Sequence, residues 1–148
     1  MKICTQCHQE KSEDQFAKSK RGKGGLRSYC KDCENKYMKN YYNQRPQGRF
    51  IRLKENALKD GAQIRMTKDD FIVWFNSQAL KCFYCHTPLE FIYGRHWQWT
   101  GLTIDRCDPN GAYELNNIVL ACRRCNIIKG HWFTKDQMLE IASKYLRG

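Results

Sequence analysis

Apolar and polar positions along this chain change their period several times, and each change marks an element. Residues 1–33 are Cys-rich and contain a Gly/Lys loop at 21–25. Residues 34–60 are polar, basic and helical in pattern, interrupted at Arg45-Pro46-Gln47-Gly48. Proline lacks a backbone donor and pushes the residue before it out of helical geometry, so two helices with a break at Arg45 are expected. The second runs through Ile51, Leu53 and Leu58 to Gly61, which suits the left-handed position after a helix. Thr67 and Asp70 have the spacing of a capping box, opening a helix whose Phe71, Trp74 and Phe75 fall at core spacing. Residues 89–105 read as strand, with Trp97 and Trp99 on one face and packed in the core. Ile118-Val119-Leu120-Ala121 is a second short strand, and 123–129 looks helical. Thr134 with Gln137 opens a last helix with a buried stripe of Met138, Ile141, Ala142 and Tyr145.

The pattern predicts an α+β protein with a helical N-terminal half. No run of 18 apolar residues exists, so no membrane span is expected. The start, Met1-Lys2-Ile3-Cys4, carries no apolar signal segment, which points to a cytoplasmic, reducing setting. There, cysteines serve metals or catalysis more often than disulfides.

Eight of the nine cysteines form Cys-x-x-Cys pairs: Cys4/Cys7, Cys30/Cys33, Cys82/Cys85 and Cys122/Cys125. Two thiolates on one tight turn face one cation, and two such turns complete a tetrahedral shell suited to Zn²⁺. The expected grouping joins the first two pairs and the last two, giving two zinc ions. Closed four-sulfur shells leave no open position, so both are structural, each contributing on the order of 10 kcal/mol to folding. Cys107 is left over as a free thiol. Cys4-Thr5-Gln6-Cys7-His8 and Cys82-Phe83-Tyr84-Cys85-His86 also fit the haem-attachment string, but haem would leave the other two pairs unexplained.

Charge narrows the partner. The formal net charge is +11, and residues 1–53 hold 13 of the 26 Lys and Arg but 5 of the 15 Asp and Glu. Clustered cations favour nucleic acid through release of its counterions. Lys36, Lys39, Arg45, Arg49, Arg52 and Lys54, interleaved with Tyr37, Tyr41 and Tyr42, form a candidate arm tracking the phosphate backbone. His96, with both tryptophans, lies in a segment able to enter a groove.

The stretch 102–129 reads as strand, loop, strand, then a helix opening on a Cys pair. Asp105 ends the first strand and Asn126 sits in the helix. If the hairpin folds onto the helix, both oxygens can reach one hard cation, leaving its other positions to water and phosphate. Arg123, Arg124 and Lys129 flank that helix and suit phosphate positioning.

The run Asp105-Arg106, Tyr113, Asn117, Cys122-x-x-Cys125-Asn126-x-x-Lys129 resembles the HNH (ββα-metal) nuclease motif, in the variant where Asp-Arg replaces the usual Asp-His. The order of the Cys pairs resembles that of small restriction endonucleases of this family over the whole chain, although only the last segment is specific. The resemblance implies a small zinc-stapled ββα-metal fold, with 1–60 as a basic zinc and helical DNA-binding region and 61–148 as the nuclease core. It implies that Asp105 and Asn126 hold a catalytic Mg²⁺ and that Asn117 (less well, Asn116) braces the loop. The base normally supplied by the missing histidine falls to Tyr113, eight positions beyond the aspartate, with His131 as the alternative. Arg106 would ease ionisation of that phenol or clamp a phosphate. The implied activity is Mg²⁺-dependent, sequence-specific hydrolysis of double-stranded DNA by a homodimer. Nicking by a phage or mobile-element enzyme is the alternative. A zinc-built DNA- or RNA-binding module without catalysis, and a protein-interaction module, stand as other classes; the charge argues against the last.

Overall fold

A computed structural model describes residues 1–91 and 98–147. His96, Trp97 and the middle of the expected 89–105 strand lie outside them. The chain divides into two compact units, Met1–Tyr41 and Tyr42–Gly148.

In the first unit, β1 (Lys2–Ile3) pairs antiparallel with β2 (Glu10–Lys11), and β3 (Phe16–Lys18) with β4 (Leu26–Cys30). Helix α1 (Lys31–Gln44) comes next and outlasts the unit. These strands are two to five residues long, too short to print an alternation in the sequence. The buried centre is Cys4, Phe16 and Cys30, with Cys7, Leu26, Tyr29 and Cys33 packed against it. So few apolar groups cannot order forty residues, which leaves a staple at the thiols as the main source of stability.

The second unit contains α2 (Pro46–Asp60), α3 (Lys68–Ser77), β5 (Leu102–Arg106), β6 (Ile118–Cys122), α4 (Arg123–Lys129) and α5 (Lys135–Tyr145). Arg45 is extended, at φ −86° and ψ 135°, and Pro46 opens α2 where its missing N–H is harmless. Gly61 closes the helix at φ 67°, donating to the Ala57 carbonyl. The capping box at α3 is complete, Asp70 N–H donating to Thr67 Oγ1 at 3.1 Å and Thr67 N–H to Asp70 Oδ2 at 3.4 Å. Phe71 is fully buried against Phe50, ring centres 5.3 Å apart, which joins α3 to α2. The same core continues through Leu89, Leu102, Ile118, Leu120, Ala121, Met138 and Ala142. Helix α2 shares this core through Phe50, Leu53 and Ala57, so it belongs with the hairpin and α3 rather than with the first unit. The division at residue 60 tracks charge and motif; the compact units change over at Tyr41/Tyr42.

Strands β5 and β6 form an antiparallel hairpin with Leu102 opposite Cys122, Asp105 opposite Val119 and Arg106 opposite Ile118. Helix α4 starts directly where β6 ends and packs on both strands. Three expectations are corrected here. Among the described residues of 89–105, regular strand covers Leu102–Arg106; the others make an isolated bridge, Glu90 to Gly101, and a turn at Trp99. Trp99 is half exposed rather than core, because that turn carries it out of the sheet's alternation. In α5, Met138 and Ala142 are fully buried, but Tyr145 is 76% exposed: the helix outlasts the core, and Leu146 turns inward in its place.

Candidate active site

The eight paired cysteines come together as two groups of four, Cys4, Cys7, Cys30 and Cys33, and Cys82, Cys85, Cys122 and Cys125. Within each group all sulfurs lie within 4.8 Å of one another. A tetrahedral Zn²⁺ with bonds of about 2.3 Å spaces its sulfurs about 3.8 Å apart. The Cys4–Cys33 and Cys85–Cys122 sulfurs are 3.9 and 3.8 Å apart, and none is disulfide-bonded. The donor sets therefore fit zinc. Backbone N–H groups already point at sulfur, from Cys30 to Cys4 at 3.2 Å and from Cys125 to Cys122 at 3.4 Å. Hydrogen bonds from the Cys122 and Cys125 thiols hold the Cys82 thiol below its ordinary pKa. The first Cys pair of each group sits on the same kind of turn. His8 N–H donates to the Cys4 carbonyl and His86 N–H to the Cys82 carbonyl, both at 2.9 Å, and both histidines have positive φ.

Beside the second cluster lies a buried polar centre. Asp105, on β5, is 6% exposed. Its Oδ2 accepts from the Tyr84 hydroxyl at 2.6 Å, and Lys129 Nζ stands 3.4 Å from each of its oxygens. Burial pushes the Asp105 carboxyl above its ordinary range, against the opposing effects of Tyr84 and Lys129. Lys129 is fully buried, and its shorter bond, 2.6 Å, goes to the Arg106 carbonyl. Asn126 is half-buried in α4, one residue past Cys125. Its side chain forms no hydrogen bond among the described residues, which leaves its amide oxygen able to accept a ligand. A carboxylate and an amide oxygen on packed elements are hard donors of the kind Mg²⁺ takes.

Arg106 and Tyr113 are both buried; the guanidinium lies 4.8 Å from the ring centre and donates to the Gly111 carbonyl at 2.8 Å. Tyr113 is pinned by its backbone, its N–H donating to Gln63 and its carbonyl accepting from Arg65. Burial raises the phenol's pKa, and Arg106 works against that rise. Asn117 closes the loop between the strands: its Oδ1 accepts from Asp108 N–H at 2.8 Å, and its Nδ2 donates to the Asp108 and Ala112 carbonyls. A Cβ at Gly111 would lie 2.7 Å from that Nδ2, so a side chain there would push Asn117 out of this arrangement. Asn116 is exposed, as is His131, just beyond α4.

Several residues expected at DNA face inward instead. Lys129 is held by Asp105 and Arg106, so it is no surface cation. Arg124 donates to the Leu146 carbonyl at 2.8 Å, capping α5. Arg49 falls on the buried stripe of α2 with Leu53 and Ala57; it donates to the Leu102 carbonyl at 3.3 Å and lies over Phe91. Lys36, Lys39, Arg45, Arg52 and Lys54 are exposed, and Arg123 is half-buried. Cys107 is half-buried, with a thiol pushed up by burial. Tyr84 is not singled out by its sequence context; its one signal is an aromatic hydroxyl inside a Cys-x-x-Cys turn.

No family model matches the sequence, and no curated protein matches it. Among solved structures it is similar to the rare-cutting HNH restriction endonuclease PacI, whose structure is described with a mechanism of DNA perturbation. The match covers 97% of this chain and 92% of that one, with a TM-score of 0.54 and 24% identity. In fold, the chain is a small α+β protein with two Cys4 clusters and a β-hairpin followed directly by a helix, an arrangement similar to that of this HNH endonuclease.

Proposed function

We propose that this chain is a metal-dependent endonuclease acting on double-stranded DNA. The observation that carries this reading is the buried centre on the hairpin and α4: Asp105 and Arg106 on β5, Asn126 on α4 and Tyr113 on the loop between the strands. Asp105 and Asn126 would hold Mg²⁺, which when bound neutralises charge on a phosphate and its leaving oxygen. Lys129 is held chiefly by its 2.6 Å bond to the Arg106 carbonyl, so its longer 3.4 Å contact to Asp105 would not be needed to keep the lysine in place beside a bound cation.

Tyr113 takes a proton from the attacking water at its phenolic oxygen, and Arg106, stacked on its ring, stabilises the phenolate. His131, exposed beyond α4, is the alternative base. Arg123 and the exposed cations of α1 and α2 neutralise phosphates and hold the duplex without reading it. Cutting both strands of a palindrome calls for a homodimer whose two-fold axis matches that of the site. The reading is restriction-like cleavage at a specific sequence.

The test is direct. The purified, zinc-loaded protein is incubated with supercoiled plasmid and Mg²⁺, and the ends are sequenced. Linear product with one recurrent end sequence supports the reading in full. Open-circle product alone makes the chain a nicking enzyme. DNA binding without cleavage in Mg²⁺ or Mn²⁺ overturns the nuclease in favour of a zinc-built binding module. Asn126→Ala should remove cleavage while leaving zinc content and DNA binding unchanged.

A further inference from the structure

The two metal-holding turns share one geometry but differ at one position. Cys4 N–H donates to the Gln9 carbonyl and Cys82 N–H to the Thr87 carbonyl, at 3.0 and 2.9 Å, and each turn closes on a left-handed histidine. The third residue of the first turn is Gln6, which is exposed. Its counterpart in the second is Tyr84, one of the largest fully buried side chains of the protein. Holding a metal on such a turn needs no tyrosine, since the first turn manages without one. What the tyrosine does instead is send its hydroxyl 2.6 Å to Asp105 Oδ2.

The rest of that turn is fixed too. Phe83 N–H donates to the Leu120 carbonyl of β6 at 2.8 Å, and β6 is paired along its length with the strand bearing Asp105. On the other side of the cluster, Cys125 is followed immediately by Asn126. Both groups placed at the catalytic metal are thus referenced to one set of four sulfurs, Asn126 through the chain and Asp105 through Tyr84.

We propose that Tyr84 is a positioning residue for Asp105, linking the Cys82/Cys85/Cys122/Cys125 cluster to the catalytic metal site. The hydroxyl occupies Oδ2 and fixes the carboxylate's rotation, while Oδ1 has only the longer 3.4 Å contact of Lys129 and would be the freer oxygen for a cation. This rests on the nuclease reading. Removing a partner that orients a metal ligand typically weakens metal affinity by about 10- to 100-fold.

The test uses the full-length, zinc-loaded chain and Mn²⁺ as the probe, with affinity measured by titration in the absence of DNA. Tyr84→Phe keeps the ring and removes one hydroxyl. Its zinc content should match wild type, its Mn²⁺ affinity should fall by about 10- to 100-fold, and cleavage should recover in part as Mn²⁺ is raised. Gln6→Ala, at the equivalent place in the other turn, should change none of these. Wild-type Mn²⁺ affinity in Tyr84→Phe would overturn the assignment and leave the nuclease standing. Loss of zinc by Tyr84→Phe would overturn it as well, by making the tyrosine a part of the cluster's own packing. A wild-type protein that neither binds Mn²⁺ nor cuts DNA would remove both readings together.

Discussion

The guanidinium of Arg106 lies 4.8 Å from the ring centre of Tyr113, and both side chains are buried. Two influences meet on the phenol: burial raises its pKa, and the cation lowers it, with burial the larger. The phenolate is the active form of a base, so a raised pKa moves the rising limb of activity to higher pH. Cleavage should therefore keep climbing from neutral into the alkaline range. Tyr113→Phe should keep DNA binding and lower the cleavage rate by about two to four orders of magnitude, the usual worth of general-base catalysis. Near wild-type cutting by Tyr113→Phe together with a dead His131→Ala would transfer the role to the histidine.

Metal content gives a second expectation. Elemental analysis should find two zinc ions per chain. Cys125→Ser should lose the second cluster's ion and, because Cys125 and Lys129 share α4 with Asn126, lose cleavage with it. Cys107→Ser should keep both ions, since Cys107 belongs to neither group of sulfurs. Fewer than two zincs, or iron in their place, would refute the assignment.

Salt provides a third. Lys36, Lys39 and Arg52 are exposed on α1 and α2, so replacing each with Gln should weaken DNA binding to a similar degree for any sequence. Each lost phosphate contact should reduce the slope of log affinity against log salt by about 1. Arg49→Gln should behave differently, lowering thermal stability because its guanidinium packs on Phe91 and bonds Leu102. Affinity that stays flat between low and physiological salt would remove the basic helices from the interface.

Punctuation residues make much of this fold legible in advance. Pro46 and Gly61 bound α2, Thr67/Asp70 and Thr134/Gln137 start α3 and α5, and the spacing of Cys pairs gives both clusters, because each acts through local backbone chemistry. What stays hidden depends on tertiary placement. The inward turns of Lys129, Arg124 and Arg49 cannot be read from charge, since a cation's burial depends on which acceptors the fold brings to it. Tyr84 escapes notice for the same reason: its partner is 21 residues away. The hairpins of the first unit are shorter than any period that could announce them.

His8 and His86 give the two turns a further property. Each holds a left-handed backbone, at φ 57° and 62°, in a place where glycine would sit at ease. An ordinary residue there costs about 1–2 kcal/mol. Four sulfurs closed on an ion would hold each turn against that cost, and loss of the ion would leave the cost unopposed. Zinc removal should therefore loosen the chain first at these two histidines.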